Sequence, residues 1–138
     1  MTAADLHAAT LALLRTIGTV TIHDGKVPPS PAGDAAGRTY PYAVLWPSAG
    51  FYPGTDADTL CEEPGDELTW PVQVTVAAGD PTWCLQAADL VRKKLNKARL
   101  TPRSGLLRQD EVSIPATLDP AVSPARWFIP LLFRTQSA

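Results

Sequence analysis

The run from Leu68 to Val76 constrains the fold of this chain more than any other segment. Leu68, Trp70, Val72, Val74 and Val76 alternate with Thr69, Pro71, Gln73 and Thr75. Successive side chains of an extended strand point to opposite faces, so the run predicts a strand with one apolar face and one mostly polar face. Such a strand has to bury its apolar face against another layer, and the following residues offer one. Gly79-Asp80-Pro81 reads as a helix cap followed by proline at the first helical position, and Cys84, Ala87, Ala88, Val91, Leu95 and Ala98 recur as a core-facing stripe. Asp89 and Lys93, four apart on the other side, form a surface pair worth a few tenths of a kcal/mol. Pro71 has no ladder donor, which predicts that its strand lies at a sheet edge or carries a bulge.

The other elements follow from the same two periods. Thr2 and Asp5 form a helix-start signal, and Leu6, Ala9, Leu13, Leu14 and Ile17 continue at helical spacing up to Gly18. Val20 to His23 predicts a short strand, and Asp24-Gly25-Lys26 a tight turn at which the chain reverses. Residues 28–39, rich in Pro, Gly and small side chains, predict an exposed loop. Tyr42 to Trp46 predicts a strand with Tyr42, Val44 and Trp46 on one face, ended by Pro47 and Gly50, and a second exposed loop spans about 48–66. Leu106 to Ile114 is a further strand candidate. In Arg126 to Arg134, Trp127, Ile129, Leu131 and Phe133 alternate with Phe128, Pro130 and Leu132, so both faces are apolar. That strand is covered on both sides or buries one side in an assembly, and Pro130 again predicts an edge or bulge. No internal repeat is visible. The expectation is an α+β fold, one mostly antiparallel sheet with two α-helices packed on one face, in a single domain over residues 1–138.

Composition narrows the function classes. Hydrophobic residues at 45% and charged residues at 19% describe a packed chain, and a net charge of −2 gives no global attraction to nucleic acid or anionic lipid. No apolar run approaches the roughly 20 residues of a membrane span. The start at Met1 lacks a basic region, apolar run and cleavage site, so folding in a reducing cytoplasm is expected, with Cys61 and Cys84 as free thiols. With His7 and His23 the only histidines, no zinc spacing exists, and neither a metal nor a cofactor is expected. The phosphate-binding glycine motifs, HExxH and GxSxG are missing, and Ser104-Gly105 lacks the flanks of a nucleophile elbow. His23-Asp24 is either an oriented base or, more simply, a strand-end His before a turn-forming Asp. Asp56 and Asp58 have the spacing of cation-loop ligands without the Gly and distal Glu of such a loop. The chain therefore reads as a non-enzyme.

Charge is segregated along the sequence. Asp56, Asp58, Glu62, Glu63, Asp66 and Glu67 form an acidic run, whereas Arg92, Lys93, Lys94, Lys97, Arg99, Arg103 and Arg108 hold 7 of the 12 cations. Solvation explains the first, and the negative end of a helix explains part of the second. A small nucleic-acid-binding module using Arg92 to Arg108 is an alternative, against which stand the absence of interleaved aromatics and a pI near 5.6. Complementary patches on one chain fit head-to-tail self-association better.

Asp24-Gly25-Lys26-Val27-Pro28, then Tyr40-Pro41-Tyr42-Ala43-Val44-Leu45-Trp46-Pro47, then Trp70-Pro71-Val72-Gln73-Val74-Thr75-Val76, with Ala88-Asp89-Leu90-Val91-Arg92 in the following helix, resemble the tail terminator proteins of actinobacterial siphophages, the lambda-type terminator family. The likeness covers most of the chain, and its motifs are structural. Pro71 departs from the ordinary strand residue expected there, and the acidic loop is a variable region. The resemblance implies a virion subunit, assembled in the host bacterial cytoplasm, that forms a homo-oligomeric, hexameric ring at the head-proximal end of the tail. Its partners would be the tail tube protein, whose polymerisation it stops, and a head-completion or stopper protein. No membrane or specific nucleic acid is implied, although DNA would pass through the lumen. Another neck or tail-completion protein shares this logic. On this reading Asp56, Asp58, Glu62 and Glu63 of one subunit meet Arg92, Lys93, Lys94 and Lys97 of the next, aided by Trp127 and Ile129, while Gln73 and Thr75 contact the tube.

Overall fold

The computed structural model describes residues 2–52 and 67–137. Asp56, Asp58, Cys61, Glu62, Glu63 and Asp66 lie outside the described residues.

Helix α1 (Ala3–Arg15) begins at a capping box, in which the Asp5 amide donates to Thr2 Oγ1 at 3.2 Å and the Thr2 amide donates to Asp5 Oδ2 at 3.0 Å. These bonds, the backbone one first, hold the Asp5 carboxyl below its ordinary range. The box is therefore complete above the usual carboxylate pKa and weakens as pH falls through the lowered value. Leu6 and Leu14 are buried, with Thr10 between them. The Thr10 hydroxyl donates to Leu6 O at 2.8 Å, which satisfies a polar group inside the stripe.

Six strands form one open sheet: β1 (Thr21–Asp24), β2 (Tyr42–Trp46), β3 (Leu68–Ala78), β4 (Arg108–Gln109), β5 (Thr117–Asp119) and β6 (Arg126–Ser137). The order is β1-β2-β3-β6-β4, with β5 also on β6. Helix α2 (Pro81–Leu95) follows β3, capped by the Asp80 carboxylate, which accepts from the Thr82 amide at 2.8 Å and the Trp83 amide at 3.2 Å. All pairs are antiparallel except β1 with β2. The fold is thus α+β, a mostly antiparallel sheet with both helices on one face.

Several expectations are corrected. The turn at Gly25, with φ of 65°, does not build a hairpin: its amide donates to Leu45 O at 2.8 Å, and the loop carries the chain back so that β2 runs parallel to β1. Of the candidate strand from Leu106 to Ile114, only Arg108–Gln109 pairs as a strand, with an isolated bridge at Leu106, whereas β5 was not foreseen.

Neither strand proline sits on an edge strand. Strand β3 pairs with β2 on one side and β6 on the other, in unbroken register with β6 from Leu68↔Ser137 to Ala78↔Trp127. The Thr69 peptide group faces Phe51, exchanging bonds of 2.8 and 2.9 Å. By the two-residue period the Pro71 nitrogen faces the same side. There it meets the gap between the Trp46↔Gln73 pair and the Phe51↔Thr69 bridge, where residues 47–50 detour. Pro130 repeats the solution. Leu132 O accepts from the Asp110 amide at 2.9 Å, so Pro130 also faces outward, into the gap between β4 and β5. Each proline removes a donor where no partner strand runs.

The apolar face of β3 and the odd positions of β6 meet both helices in one core, built around Trp70, Phe133, Leu6, Leu14, Val91 and Leu95. Cys84 lies in it with no exposed surface, its Sγ 3.6 Å from both Val76 O and Trp127 O. Burial pushes this thiol up to about 11. Protection is complete below pH 9, and stability should fall by about 2–3 kcal/mol as pH rises from 9 to 11, because the unfolded thiol ionises first. In a Cys61→Ser background Cys84 should resist an aromatic disulfide reagent at pH 8 and react fully in urea; fast labelling of the folded chain would contradict this burial.

Candidate interaction surface

Strand alternation gives the sheet two unlike faces. The face away from the helices carries Tyr42, Val44 and Trp46 of β2, Pro71, Gln73, Thr75 and Ala77 of β3, and Phe128, Pro130 and Leu132 of β6. No helix covers it. Tyr42, Val44 and Ala77 are buried in a small second cluster, while Trp46 and Phe128 pack against it and remain partly exposed. Polar groups on this face are cross-linked: Trp46 Nε1 donates to Thr75 Oγ1 at 2.9 Å, and Gln73 Nε2 donates to the same oxygen at 3.1 Å. Gln73 is exposed and Thr75 half-buried, so the two residues expected to meet the tube do share this face.

Trp127 and Ile129 lie on the other face. Ile129 is only 6% exposed and both pack in the helix-covered core, because odd positions of β6 point toward α2. The apolar groups that β6 offers outward are instead Phe128, Pro130 and Leu132, each half-buried. The expected partnership of Trp127 and Ile129 with the basic helix end therefore becomes internal packing in the described chain.

The basic segment gathers at the end of α2. Lys93 Nζ lies 3.0 Å from Asp89 Oδ2, as the spacing predicts, and Arg92 reaches the same carboxylate at 3.8 Å. Arg99 donates to Ser104 O at 3.0 Å. Lys97 has φ of 65° and its amide donates to Leu107 O, which turns the chain out of the helix. Among the described residues Lys94, Lys97, Arg103 and Arg108 have no carboxylate within 4 Å. Arg92 also borders an open groove between α2 and residues 109–116, with Leu85, Val112 and Ile114 exposed along it.

The remaining candidates resolve into structural roles. Asp24 Oδ1 accepts from His7 Nε2 at 2.6 Å, a bond that ties β1 to α1, whereas His23 stands edge-on to Tyr42 at 5.7 Å. Adjacent strand residues point apart, so His23 and Asp24 form no dyad. Ser104 is buried and exchanges both bonds with Thr101, locking its own turn. Residues 28–39 are largely exposed, as expected, but are built: the Asp34 carboxylate accepts from the Ala36 and Arg38 amides, and the Arg38 guanidinium lies 4.4 Å over the Trp83 ring. Gly79 permits this contact, since a Cβ there would meet Thr39 N at 2.4 Å. Among the described residues no three His, Cys, Asp or Glu side chains converge as a metal-binding group, and no helix is long and apolar enough to cross a membrane.

Sequence reasoning missed Arg126. It opens β6 and is 2% exposed, and its Nη1 donates to Tyr42 Oη at 3.0 Å and Pro28 O at 3.3 Å. A lone Arg before an apolar run reads as a solvated strand end. Its burial depends on Tyr42, 84 positions away, and on the return of residues 26–28 over the sheet, neither of which leaves a local pattern. A scan against family models finds no match for the chain, and no curated protein matches it.

Proposed function

We propose that this chain is a structural, ring-forming subunit of a phage tail, a tail terminator that caps the tube and offers its other side to a head-completion protein. The observation that supports the reading best is the pairing of two unlike surfaces on one small domain. One is an uncovered sheet face bearing Trp46, Phe128, Pro130 and Leu132. The other is a cationic end of the helix layer where Lys94, Lys97, Arg103 and Arg108 lack carboxylate partners among the described residues. Two unlike surfaces serve two partners, the cationic end a neighbouring subunit and the sheet face the tube, and a head-to-tail contact between subunits makes a ring when its rotation closes. In this arrangement the acidic run from Asp56 to Glu67 of one subunit meets Arg92, Lys93, Lys94 and Lys97 of the next. Charge sets register and rejects wrong partners, while apolar burial holds the ring. The open face, with Gln73 and Thr75, contacts the tube.

The test uses the purified protein and its tube protein. Rings should appear in negative stain, and tubes grown in their presence should stop at a uniform length. Gln73→Arg, alone or with Thr75→Ser, should leave rings intact while tubes overgrow; normal tubes would remove the tube contact from this face. A subunit that stays solitary and leaves tube length unaltered would end the terminator reading. Binding to duplex DNA that weakens steeply with salt and depends on Arg92 to Arg108 would favour the nucleic-acid module instead.

A further inference from the structure

Arg108 and Arg134 stand directly opposite each other in the register of β4 and β6. Side chains so placed share one sheet face with their Cβ atoms about 5 Å apart, and like charges there are destabilising. The face is the uncovered one, since Arg134 takes an even position of β6 and Arg108 follows the fully buried Leu107. Arg108 closes the basic segment in sequence and stands where that segment meets the open sheet face. Both arginines are exposed, and Arg134 Nη2 lies 3.8 Å from Asp110 Oδ2, too far for a hydrogen bond. Among the described residues the Arg108 side chain has no hydrogen bond or ion pair, and no other carboxylate lies within 4 Å of either guanidinium. Two cations and one carboxylate leave one positive charge uncompensated. A groove of about 360 Å³ adjoins the pair: Pro71, the β3 neighbour of Arg134, lines it with Trp46, Gln73 and Leu132, and Asp110 borders it too.

We propose that the Arg108–Arg134 pair seats one carboxylate of a partner protein, with an apolar side chain of the same partner in the adjoining groove. Guanidinium groups present N–H forks that match carboxylate oxygens, and two on neighbouring strands can grip one acid from both sides. The apolar walls beside them lower the local dielectric once the face is covered, which strengthens the contact. A single carboxylate closes the charge balance and lifts the repulsion between the arginines. A polyanion fits less well: Asp110 repels further negative charge, and Trp46, Pro71 and Leu132 offer a phosphate backbone nothing for the hydration it would lose. Charge at the rim of an apolar contact sets register and partner choice more than affinity. The proposal names the chemistry of the partner that the open face meets, and it rests on the tube-contact reading only for which protein that is.

The probe is the end-blocked peptide acetyl-Leu-Ser-Glu-Ser-Leu-amide, whose Glu and Leu side chains fall on the same side of an extended chain. It should bind about ten times more tightly than its Gln counterpart and shift the Arg108 and Arg134 Nε–H and Trp46 Nε1–H resonances. Arg108→Gln/Arg134→Gln should bind both peptides alike. Arg108→Gln alone should raise the thermal midpoint of the free chain by about 2 °C, because the repulsion is gone. Four results overturn the proposal: equal binding of the two peptides, inorganic phosphate matching the Glu peptide, duplex DNA shifting the same resonances at lower concentration, or a lowered midpoint for Arg108→Gln. The last would show that the Arg108 charge is already balanced within the chain. Tube assays separate this proposal from the terminator reading. Selective Glu binding with tubes of normal length in Arg108→Gln/Arg134→Gln keeps the carboxylate seat and removes the tube as its partner. Unselective peptides with tubes that overgrow in Gln73→Arg end the seat and keep the tube contact.

Discussion

Trp70→Ala should unfold at about 2 M less urea than the parent chain, a loss of about 4–5 kcal/mol. Trp70 has no exposed surface, packs in the core shared by β3 and both helices, and donates its Nε1 hydrogen to Ser48 O at 2.8 Å. Truncation therefore removes a large buried ring, leaves a cavity in a region held on both strand sides, and orphans a carbonyl. A small domain is stable by about 5–15 kcal/mol, so this one change takes away a large share. Trp70→Phe separates the contributions: it keeps most of the apolar body, loses the bond to Ser48, and should cost about 1–2 kcal/mol. Equal losses for the two variants would mean that the hydrogen bond, and not packing, dominates the site.

The second large effect concerns assembly. On the proposed ring reading, changing Lys93, Lys94 and Lys97 together to Glu should leave only single subunits in native mass spectrometry where the parent chain gives rings. Folding has to be tracked alongside, because Lys93 pairs with Asp89 at 3.0 Å and the new acids stand at the negative end of α2. A loss of roughly 1–2 kcal/mol is expected from those local terms alone. The matched triple change to Gln provides the control: it removes the attraction without adding repulsion, so its rings should be weaker than the parent's at low salt and should lose the parent's sensitivity to rising salt, while the subunit stays folded. Rings that persist unchanged in the Glu variant would remove charge matching at the end of α2 from the assembly scheme.

How far the sequence could be read depended on the range of the cause. The alternation from Leu68 to Val76, the Thr2–Asp5 box and the Asp80-Pro81 cap are local, and each stands where its pattern puts it. The parallel placement of β1 beside β2 was not legible, because a turn signal at Gly25 says that the chain bends and not where a 17-residue connection returns. The edge reading of the two strand prolines misled for a related reason, whereas the interrupted ladder that the bulge alternative implies is present beside each. A missing donor requires a missing partner, and a partner can be missing at one position of an interior strand as well as along a whole edge. Trp127 and Ile129 illustrate a third limit: a strand apolar on both faces does not say which face the helices take. Arg126, the one strongly buried cation, was invisible because the tyrosine and the carbonyl that hold it come from distant parts of the chain.

The two proline gaps also say where this domain can change size. At residues 47–50 and 111–116 the backbone already leaves the ladder, so extra residues there displace no backbone bond between strands. Doubling such a connection adds only about 0.6 kcal/mol of closure entropy. The first window borders the open sheet face and the second the groove beside α2, so lengthening either one would reshape the rim of one surface without disturbing the architecture beneath.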